Sequence, residues 1–381
     1  MNIKEVLELA RPNILKLTPY RCARDDYSTG ILLDANENNF GNAAHGQEEL
    51  HLEKYPDPHQ KELKSLFKNF RNLDSSDRLF FGVGSDEGID LVIRVFCTPG
   101  KDKILICNPT YGMYSVCAQV NDVEVVKVPL KVDDGSFQLE VDKIKQAIDV
   151  EKNLKVCFFC NPGNPTGTLL RRSDIIEILQ YFKGIVVVDE AYIDFSYDEN
   201  HPLETQSFTN AISKYPNLIV LQTLSKSFGL AGIRFGVSVS AKEVAQLFNN
   251  TKAPYNISTL THLTAKTALE EAGIKLMRSN LNKILMERER LTEKLKSIKR
   301  IGKIKGTNDA NFILFEVLDK AGGKPCNSSA VFVYKKLADD YKVVVRYRGT
   351  ELGCEGCLRV TVGTPSENLE FLNKLMLVVS S

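Results

Sequence analysis

One lysine stands in an unusual setting, in the stretch TLSKSFGLAGIRFG. Lys226 closely follows the strand-like run Leu218–Leu224, has a serine on each side and precedes small and apolar residues. An amine among such neighbours is poorly solvated, and a nearby cation such as Arg234 also disfavours its protonated form, so its pKa is lowered. A lysine with a lowered pKa can bond covalently to a carbonyl group. The stretch therefore predicts carbonyl chemistry at Lys226.

Three further stretches place polar residues directly after apolar runs. Residues 82–86, Gly-Val-Gly-Ser-Asp, connect such a run to a helix, where glycine lets the backbone approach an anion and free helix N–H groups can bind it. Residues 161–167, Asn-Pro-Gly-Asn-Pro-Thr-Gly, include Asn164, and Asp189 directly follows the apolar run Ile185–Val188. Taken singly, each stretch is explained at least as well by a tight turn or a surface acid.

The glycines could also belong to a dinucleotide site. Their positions, 82, 84 and 88, miss the fingerprint spacing by one residue, and the next strand ends at Asn108 with no acid to bind a ribose.

In combination, the four stretches fit another cofactor better. A phosphate cradle, an asparagine, a carboxylate that can face a protonated ring nitrogen and a lysine are the groups that pyridoxal 5'-phosphate requires. The sequence therefore predicts a pyridoxal 5'-phosphate site and argues against a dehydrogenase.

These residues meet only if the strands before them share one sheet. From about residue 79 to 240, short apolar runs alternate with helical patterns, which predicts an α/β fold with a mostly parallel central sheet flanked by helices. Ligands of such sheets bind beyond the carboxyl ends of the strands, where the four stretches fall.

Beyond Pro254 the pattern changes. Apolar residues at three- and four-residue spacing over 260–298 predict a long amphipathic helix with a break at Gly273. The strand-like runs ANFILFEV, KVVVRYR and CLRVTVG then indicate a smaller α+β domain. The residues alone allow the loop-rich start of the chain to pack with either domain. We expect an N-terminal arm packing with the small domain (1–50), a large cofactor-binding domain (51–255) and a small C-terminal domain (256–381).

The totals limit the class of protein. The net charge is 49 − 48 = +1, which gives no overall attraction for nucleic acid or a membrane surface. No apolar run reaches the ~18 residues of a membrane span, and the start of the chain lacks the apolar core of a secretory signal. Nine cysteines, an odd number in apolar surroundings, indicate reduced thiols. We therefore expect a cytoplasmic protein with no nucleic-acid or membrane partner.

Two cysteine pairs offer a rival site. Cys157 and Cys160 lie in an apolar strand, where residues three apart face opposite sides and cannot chelate one ion. Cys354 and Cys357 could form a thiol pair in a turn, but no second ligand pair matches them. The five histidines show no ligand spacing, so no metal site is expected.

The motifs, in order along nearly the whole chain, resemble those of the fold type I aminotransferases. The resemblance is closest to the fungal histidinol-phosphate aminotransferases, also named imidazole acetol-phosphate transaminases. The segments that carry it are LTPYRCARDDYSTGILLDANEN, KYPDPHQ, GVGSDEGID, NPTYGMYSV, NPGNPTG, VVVDEAYIDF, TLSKSFGLAGIRFG, APYNIS and VVVRYRGTELGCEGCLRVTVGT. One departure is NENNFGN, where many relatives have Asn-Pro after the glutamate. We expect it to alter a loop near the substrate entrance and not the chemistry.

The resemblance implies the fold of type I pyridoxal-phosphate-dependent transferases. It also implies amino transfer between L-histidinol phosphate and 2-oxoglutarate in histidine biosynthesis. Lys226 would bond to the cofactor and shuttle a proton, and Asp189 would hold the ring N–H. Asn164 and Tyr192 would hydrogen-bond the cofactor's 3-hydroxyl oxygen, and Tyr111 would stack on the ring. The residues implied for the cofactor phosphate are Ser85 and Asp86 through backbone amides, Thr223, Ser225 and Arg234 through side chains, and Tyr55 from the other subunit of a homodimer with shared sites.

For the substrate, the resemblance implies two arginines, a tyrosine and Asn164. Arg359 would grip the anion beside the reacting carbon, which is a phosphate in histidinol phosphate and a carboxylate in glutamate. Arg346, thirteen residues earlier, and Tyr20 match positions used for the substrate phosphate, although Arg346 with Arg348 beside it could also be a surface charge.

Other functions share these motifs. An aromatic or general amino-acid aminotransferase and a phospho-amino-acid decarboxylase remain open within the class. A pyridoxal-phosphate-binding regulator without activity is the alternative outside it, but Lys226, Asp189 and Arg359 are all present, which argues against an inactive protein.

Overall fold

The structure, a computed structural model, describes residues 1–27, 29–196 and 206–380. Seven strands form one sheet, namely β1 Leu79–Val83, β2 Lys103–Asn108, β3 Glu124–Pro129, β4 Leu154–Cys160, β5 Ile185–Asp189, β6 Leu218–Thr223 and β7 Phe235–Val239. Their order across the sheet is β1-β7-β6-β5-β4-β2-β3. Neighbouring strands are parallel except at β7, which runs antiparallel to both β1 and β6. The mostly parallel central sheet predicted from the sequence is confirmed.

Helices cover both faces of this sheet. In β4, Cys157 and Phe159 belong to one apolar cluster, whereas Phe158 and Cys160 belong to the cluster on the opposite face. Cys157 and Cys160 therefore point away from each other, as expected of residues three apart in a strand. The helices of the described ranges are α1 Ile3–Glu8, α2 Pro12–Leu15, α3 Lys61–Phe70, α4 Ser85–Phe96, α5 Met113–Val120, α6 Val141–Val150, α7 Arg172–Tyr181, α8 Lys242–Thr251, α9 Thr259–Leu269, α10 Glu271–Lys296, α11 Asn327–Tyr341 and α12 Pro365–Ser380.

A second, antiparallel sheet lies in the C-terminal part of the chain. Its strands are β8 Ile301–Lys305, β9 Phe312–Val317, β10 Arg346–Tyr347 and β11 Cys357–Thr361, in the order β10-β11-β9-β8. The apolar cluster beside it includes Leu337 of α11 and Leu375 of α12. The bounds of the three expected segments stay a prediction.

The predicted long helix is two helices, and the break lies at Glu270 instead of Gly273. Ser258 caps α9 by accepting a hydrogen bond from Thr261 N–H, and Glu270 is extended between α9 and α10. Gly273 lies inside the first turn of α10, where a Cβ would press against the backbone oxygens of Thr267 and Ala268. The glycine therefore permits a close approach of two helices rather than ending one.

The start of the chain contacts the large sheet's helices. Val6 of α1 and Ala10 are buried in the cluster that includes residues of α4 and α8, and Arg11 Nη1 donates to the Arg94 carbonyl oxygen at 3.0 Å. The first two helices therefore lie beside the large sheet. Within the described ranges, no helix combines the length and apolar character that crossing a membrane requires.

Candidate active site

One cavity of about 410 Å³ lies at the carboxyl ends of the large sheet's strands, with β10 and β11 of the small sheet contributing to its wall. It collects residues that are far apart in the sequence. The predicted site residues that line it are Ser85, Asp86, Tyr111, Asn164, Asp189, Tyr192, Thr223, Ser225, Lys226, Arg234, Arg346 and Arg359; Cys160, Ala191, Ala231 and Arg348 also line it.

One end of the cavity is arranged to bind an anion. Helix α4 begins at Ser85 directly after Gly84, whose φ of +74° is in the region that favours glycine. A Cβ on Gly84 would collide with Arg234 Nη2, so the glycine keeps the guanidinium close to the helix. The free N–H groups and partial positive charge of the helix N-terminus therefore lie beside an arginine.

Two hydroxyls and an aspartate complete this end. Thr223 Oγ1 at the end of β6 lies 2.9 Å from Ser225 Oγ. Arg234 Nη2 donates to Asp86 Oδ2 at 3.3 Å, and Tyr111 OH donates to Asp86 Oδ1 at 3.1 Å. Asp86 thus holds the arginine and the tyrosine in place at the first turn of α4.

Asp189 is a buried carboxylate at the end of β5. Tyr114 OH donates to Oδ2 at 2.7 Å and Ala191 N–H donates to Oδ1 at 3.2 Å. Burial raises the pKa of Asp189 to about 6, although both donors act in the opposite direction. Among the described residues, no salt bridge joins this carboxylate to a cation, so the site is suited to a cationic group of a ligand.

Lys226 lies across the cavity, with Nζ 5.6 Å from the centre of the Tyr192 ring. Burial lowers the pKa of Lys226, and the charges of Arg359 and Arg234 lower it further. The direction is the one that the sequence predicted. A lysine in this environment has a larger fraction of free amine at neutral pH than an exposed lysine.

Arg359 is linked to the same group of side chains. Its Nη1 donates to Asn164 Oδ1 at 2.5 Å, and Asn164 Nδ2 lies 3.4 Å from Tyr192 OH. The guanidinium also lies 4.9 Å from the centre of the Phe312 ring. Arg346 is directly opposite Arg359 in the register of β10 and β11, so the two arginines share one face of the small sheet.

A buried polar network lies behind the cavity. Ser227 Oγ donates to Asp194 Oδ2 at 2.5 Å, and Arg71 donates to both Asp194 oxygens at 2.8 and 3.2 Å. Arg71 Nε donates to Gln222 Oε1 at 2.7 Å, and Gln222 Nε2 donates to Glu190 Oε2 at 2.8 Å. Members of this network are sequence neighbours of three lining residues, Asp189, Thr223 and Lys226. The network therefore fixes the backbone segments that present those residues to the cavity.

Tyr20 and Tyr55 do not line the cavity of their own chain. Tyr20 is 70% exposed and Tyr55 is 51% exposed. Tyr55 stacks on Tyr255, with 4.6 Å between the ring centres. Their assigned contacts with phosphates stay predictions.

Sequence reasoning missed two residues with a place in the site. Tyr114 holds Asp189, and its position in the matching segment NPTYGMYSV was the available signal. Arg348 lines the cavity beside Arg346. The spacing of two residues in a strand places both side chains on one face, and this signal was present in the sequence.

The residues present fit pyridoxal 5'-phosphate. The helix N-terminus and Arg234 suit its phosphate. Among the described residues the buried Asp189 has no salt bridge to a cation, and a protonated ring nitrogen would provide that positive charge. Lys226 has an amine with a lowered pKa. The fold and this arrangement define a class of enzyme. Residues 28–375 match the model of the aminotransferase class I and II family, and the chain belongs to that family.

Two similar proteins identify the group within this family. The chain is 50% identical to the histidinol-phosphate aminotransferase of Schizosaccharomyces pombe, over 97% of this chain and 96% of that protein. It is 47% identical to the enzyme of the same name from Candida maltosa, over 99% and 98% of the two chains. Within the class, the chain thus belongs to the histidinol-phosphate aminotransferases. It has the fold of the histidinol-phosphate aminotransferase from Sinorhizobium meliloti in complex with pyridoxal-5'-phosphate, with a TM-score of 0.75, 22% identity and coverage of 91% and 90%.

Proposed function

We propose that this chain transfers the amino group of L-histidinol phosphate to 2-oxoglutarate, with pyridoxal 5'-phosphate as its cofactor. The products are imidazole acetol phosphate and L-glutamate, and the reaction belongs to histidine biosynthesis. The carrying observation is that Lys226, Asp189, Arg346 and Arg359 converge in one cavity. The family to which the chain belongs supports the same conclusion.

The residues that line the cavity support a separate role for each end of the cofactor. When bound, pyridoxal 5'-phosphate supplies a carbonyl carbon for the amino group and an electron sink. Asp189 would hold the proton on the ring nitrogen, and Asn164 and Tyr192 would hydrogen-bond the 3-hydroxyl oxygen. Tyr111 would lie against the ring. The residues that would hold the phosphate are Ser85 and Asp86 at the start of α4, Thr223 and Ser225 at the end of β6, and Arg234 before β7.

Lys226 has two tasks in this proposal. Its Nζ would hold the cofactor covalently in the resting enzyme. As a free amine with substrate present, Nζ would accept the proton from the substrate Cα and carry it within the site. A lowered pKa serves both tasks, because only the free amine can attack a carbonyl or accept a proton.

Two arginines bind the anion of the substrate. Arg359, held by Asn164 and the Phe312 ring, presents a planar fork to a phosphate or to a carboxylate. Arg346 lies opposite it in the strand register. A phosphate dianion has oxygens left for a second arginine after Arg359 has bound two of them, and a carboxylate has none.

Alanine substitutions of the two arginines test the proposed substrate. Arg359→Ala is expected to lower kcat/KM for both histidinol phosphate and glutamate by roughly 10–100-fold, the effect of losing a charge-assisted pair of about 1.5–3 kcal/mol. Arg346→Ala should reduce kcat/KM for histidinol phosphate by more than it reduces the value for glutamate. The measurement is kcat/KM of both half-reactions in each variant. Equal losses for both substrates in Arg346→Ala would instead favour a general amino-acid aminotransferase.

The protein is proposed to act as a homodimer that shares its active sites. Tyr55 and Tyr20 are exposed in a single chain. We assign Tyr55 to the cofactor phosphate of the neighbouring subunit and Tyr20 to the substrate phosphate. A single chain would then have an incomplete anion site.

Mixed dimers test this arrangement. Tyr55→Phe and Lys226→Ala chains, combined by subunit exchange, should form hybrids in which one site carries both changes and the other site carries neither. With random exchange of equal amounts, about one quarter of all sites are intact, so activity should rise above that of either variant. Activity that stays at the parental level after confirmed exchange would mean that each site is built from one chain.

We place the reaction in the cytoplasm. All nine cysteines are free thiols in the structure, and seven of them are among the buried hydrophobic residues. Unpaired thiols in this number are typical of a reducing compartment.

A further inference from the structure

We infer that Arg348 is a third arginine for the substrate phosphate, and that Glu351 holds it away when a carboxylate substrate is bound. The inference rests on the proposed function and names a specificity-determining residue for it. Arg348 lines the same cavity as Arg346 and Arg359.

The strand geometry places the three arginines together. Arg346 is paired with Arg359, and the ladder continues because Arg348 N–H donates to the Cys357 carbonyl oxygen at 2.9 Å. Side chains two apart in an extended segment point to one face. Tyr347, between them, packs instead against the apolar cluster of the small sheet.

Arg348 has unused hydrogen-bonding capacity. Its Nη1 donates to Glu351 Oε1 at 2.7 Å, and the two side chains are 21% and 23% exposed. Its Nε is buried, and within the described part of the chain it has no hydrogen-bond partner. A buried guanidinium N–H without an acceptor is costly, so a movement of the Arg348 side chain that brings this N–H to an anion in the cavity would be favoured.

The charges at this end of the cavity match a dianion. Three arginines and one glutamate give 3 − 1 = +2. Burial raises the pKa of Glu351. Burial also lowers the pKa of Arg359, and the positive charge of Arg348 lowers it further. A phosphate monoester has a charge of about −1.5 to −2 at pH 7. A carboxylate has a charge of −1, about one half to two thirds of that value, so with glutamate as substrate Arg348 retains its pairing with Glu351.

A role in folding alone would have a different signature. If the Arg348–Glu351 pair only stabilised the turn between β10 and β11, removal of either partner would have the same effect. If Arg348 binds phosphate, removal of Glu351 frees it, and the two substitutions act in opposite directions.

The test compares Arg348→Gln, Arg348→Lys and Glu351→Gln in the holoenzyme. Arg348→Gln should lower kcat/KM for histidinol phosphate by roughly 10–100-fold and that for glutamate by less than about threefold. Arg348→Lys keeps the charge without the fork, so its loss should be smaller. Glu351→Gln should tighten the binding of inorganic phosphate, measured by calorimetry and as competitive inhibition, whereas Arg348→Gln should weaken it.

A matched control is Arg290→Gln. Arg290 forms a pair of the same spacing with Glu287, at 3.1 Å, and it does not line the cavity. This variant should leave both half-reactions and phosphate binding unchanged. Thermal unfolding of each variant separates lost stability from lost binding. If Arg348→Gln does not fold, the kcat/KM values of Arg348→Lys for the two substrates are compared instead.

Two results would overturn the inference. One is an equal loss of kcat/KM for both substrates in Arg348→Gln, and the other is weakened phosphate binding in Glu351→Gln. A wild-type enzyme that does not accept histidinol phosphate would refute the proposed function instead, and the phosphate-binding measurements would still judge Arg348.

Discussion

Lys226→Ala is expected to lower the rate of amino transfer on the order of 10³-fold or more, because it removes both the nucleophile and the proton carrier. The fold should be unaffected, since the backbone of this segment is held by Ser227 and the buried network behind it. The rate is measured for each half-reaction in single turnover. In the wild-type enzyme, borohydride reduction should attach the cofactor permanently to the peptide that contains Lys226.

The control for this substitution is Lys275→Ala. The Lys275 side chain is 73% exposed on α10 and pairs only with Glu271 among the described residues, so its loss should leave both half-reactions unchanged. A cofactor label on any lysine other than Lys226, or a Lys226→Ala variant with substantial turnover, would contradict the catalytic assignment.

Asp189→Asn is expected to lower turnover on the order of 10²-fold or more while the cofactor stays bound. The neutral amide cannot hold a proton on the ring nitrogen, although the phosphate and ring contacts remain. The measurements are the half-reaction rates and the cofactor absorbance after gel filtration. Unchanged rates in a variant with full cofactor content would mean that Asp189 has only a structural role.

The same variant should have the opposite effect on the stability of the apoprotein. Burial raises the pKa of Asp189 from 3.8 to about 6, so the folded state binds this proton more tightly than the unfolded state. The stability from this group is fully present below pH 3.8 and is lost as the pH rises through 6. At pH 7.5 the Asp189→Asn apoprotein should therefore unfold at a higher temperature than the wild type, and the difference should vanish near pH 4. A lower unfolding temperature at pH 7.5 would show that the charged carboxylate is well stabilised.

The sequence predicted the strands that have a clear apolar pattern and missed those that do not. The runs that became β1, β2, β4, β5 and β6 are rich in buried apolar residues, and β3 was predicted from its valines although only Val128 of them is buried. Strand β7, FGVSV, is fully buried but contains Gly236 and Ser238. A Cβ on Gly236 would collide with the backbone of Gly84 at the start of α4. Close packing at the anion site therefore requires a glycine where an apolar residue would have indicated a strand. Strand β8, with charged residues in IGKIK, was missed for lack of an apolar run.

The ends of elements were harder to predict than their presence. The run KVVVRYR predicted a strand, but only Arg346–Tyr347 pair as β10. No helix-ending residue type stands at Glu270, where the helix breaks. The backbone of Glu270 is extended, and the two helices on either side of it, α9 and α10, pack against each other. Such tertiary contacts override local preference.

For the site, motifs predicted which residues line the cavity but not how they are held. Twelve predicted residues meet in it, and most of them lie at or just beyond the carboxyl end of a strand or at the start of a helix; Arg346 and Arg359 lie within the strands of the small sheet. The hydrogen bond from Tyr114 to Asp189 joins residues 75 positions apart, and the bond between Arg71 and Asp194 joins residues 123 apart. No spacing rule predicts such pairs, because they depend on how two elements pack.

The most direct test of the central claim follows the nitrogen atom. The purified holoenzyme is incubated with L-histidinol phosphate carrying an isotope label on its amino nitrogen, together with 2-oxoglutarate, and the products are identified by mass spectrometry. We predict that the label appears in L-glutamate in equal amount to the imidazole acetol phosphate formed. Aromatic amino acids should serve as much poorer donors. Unlabelled glutamate, or no transfer from histidinol phosphate while another amine is consumed, would contradict the proposed function.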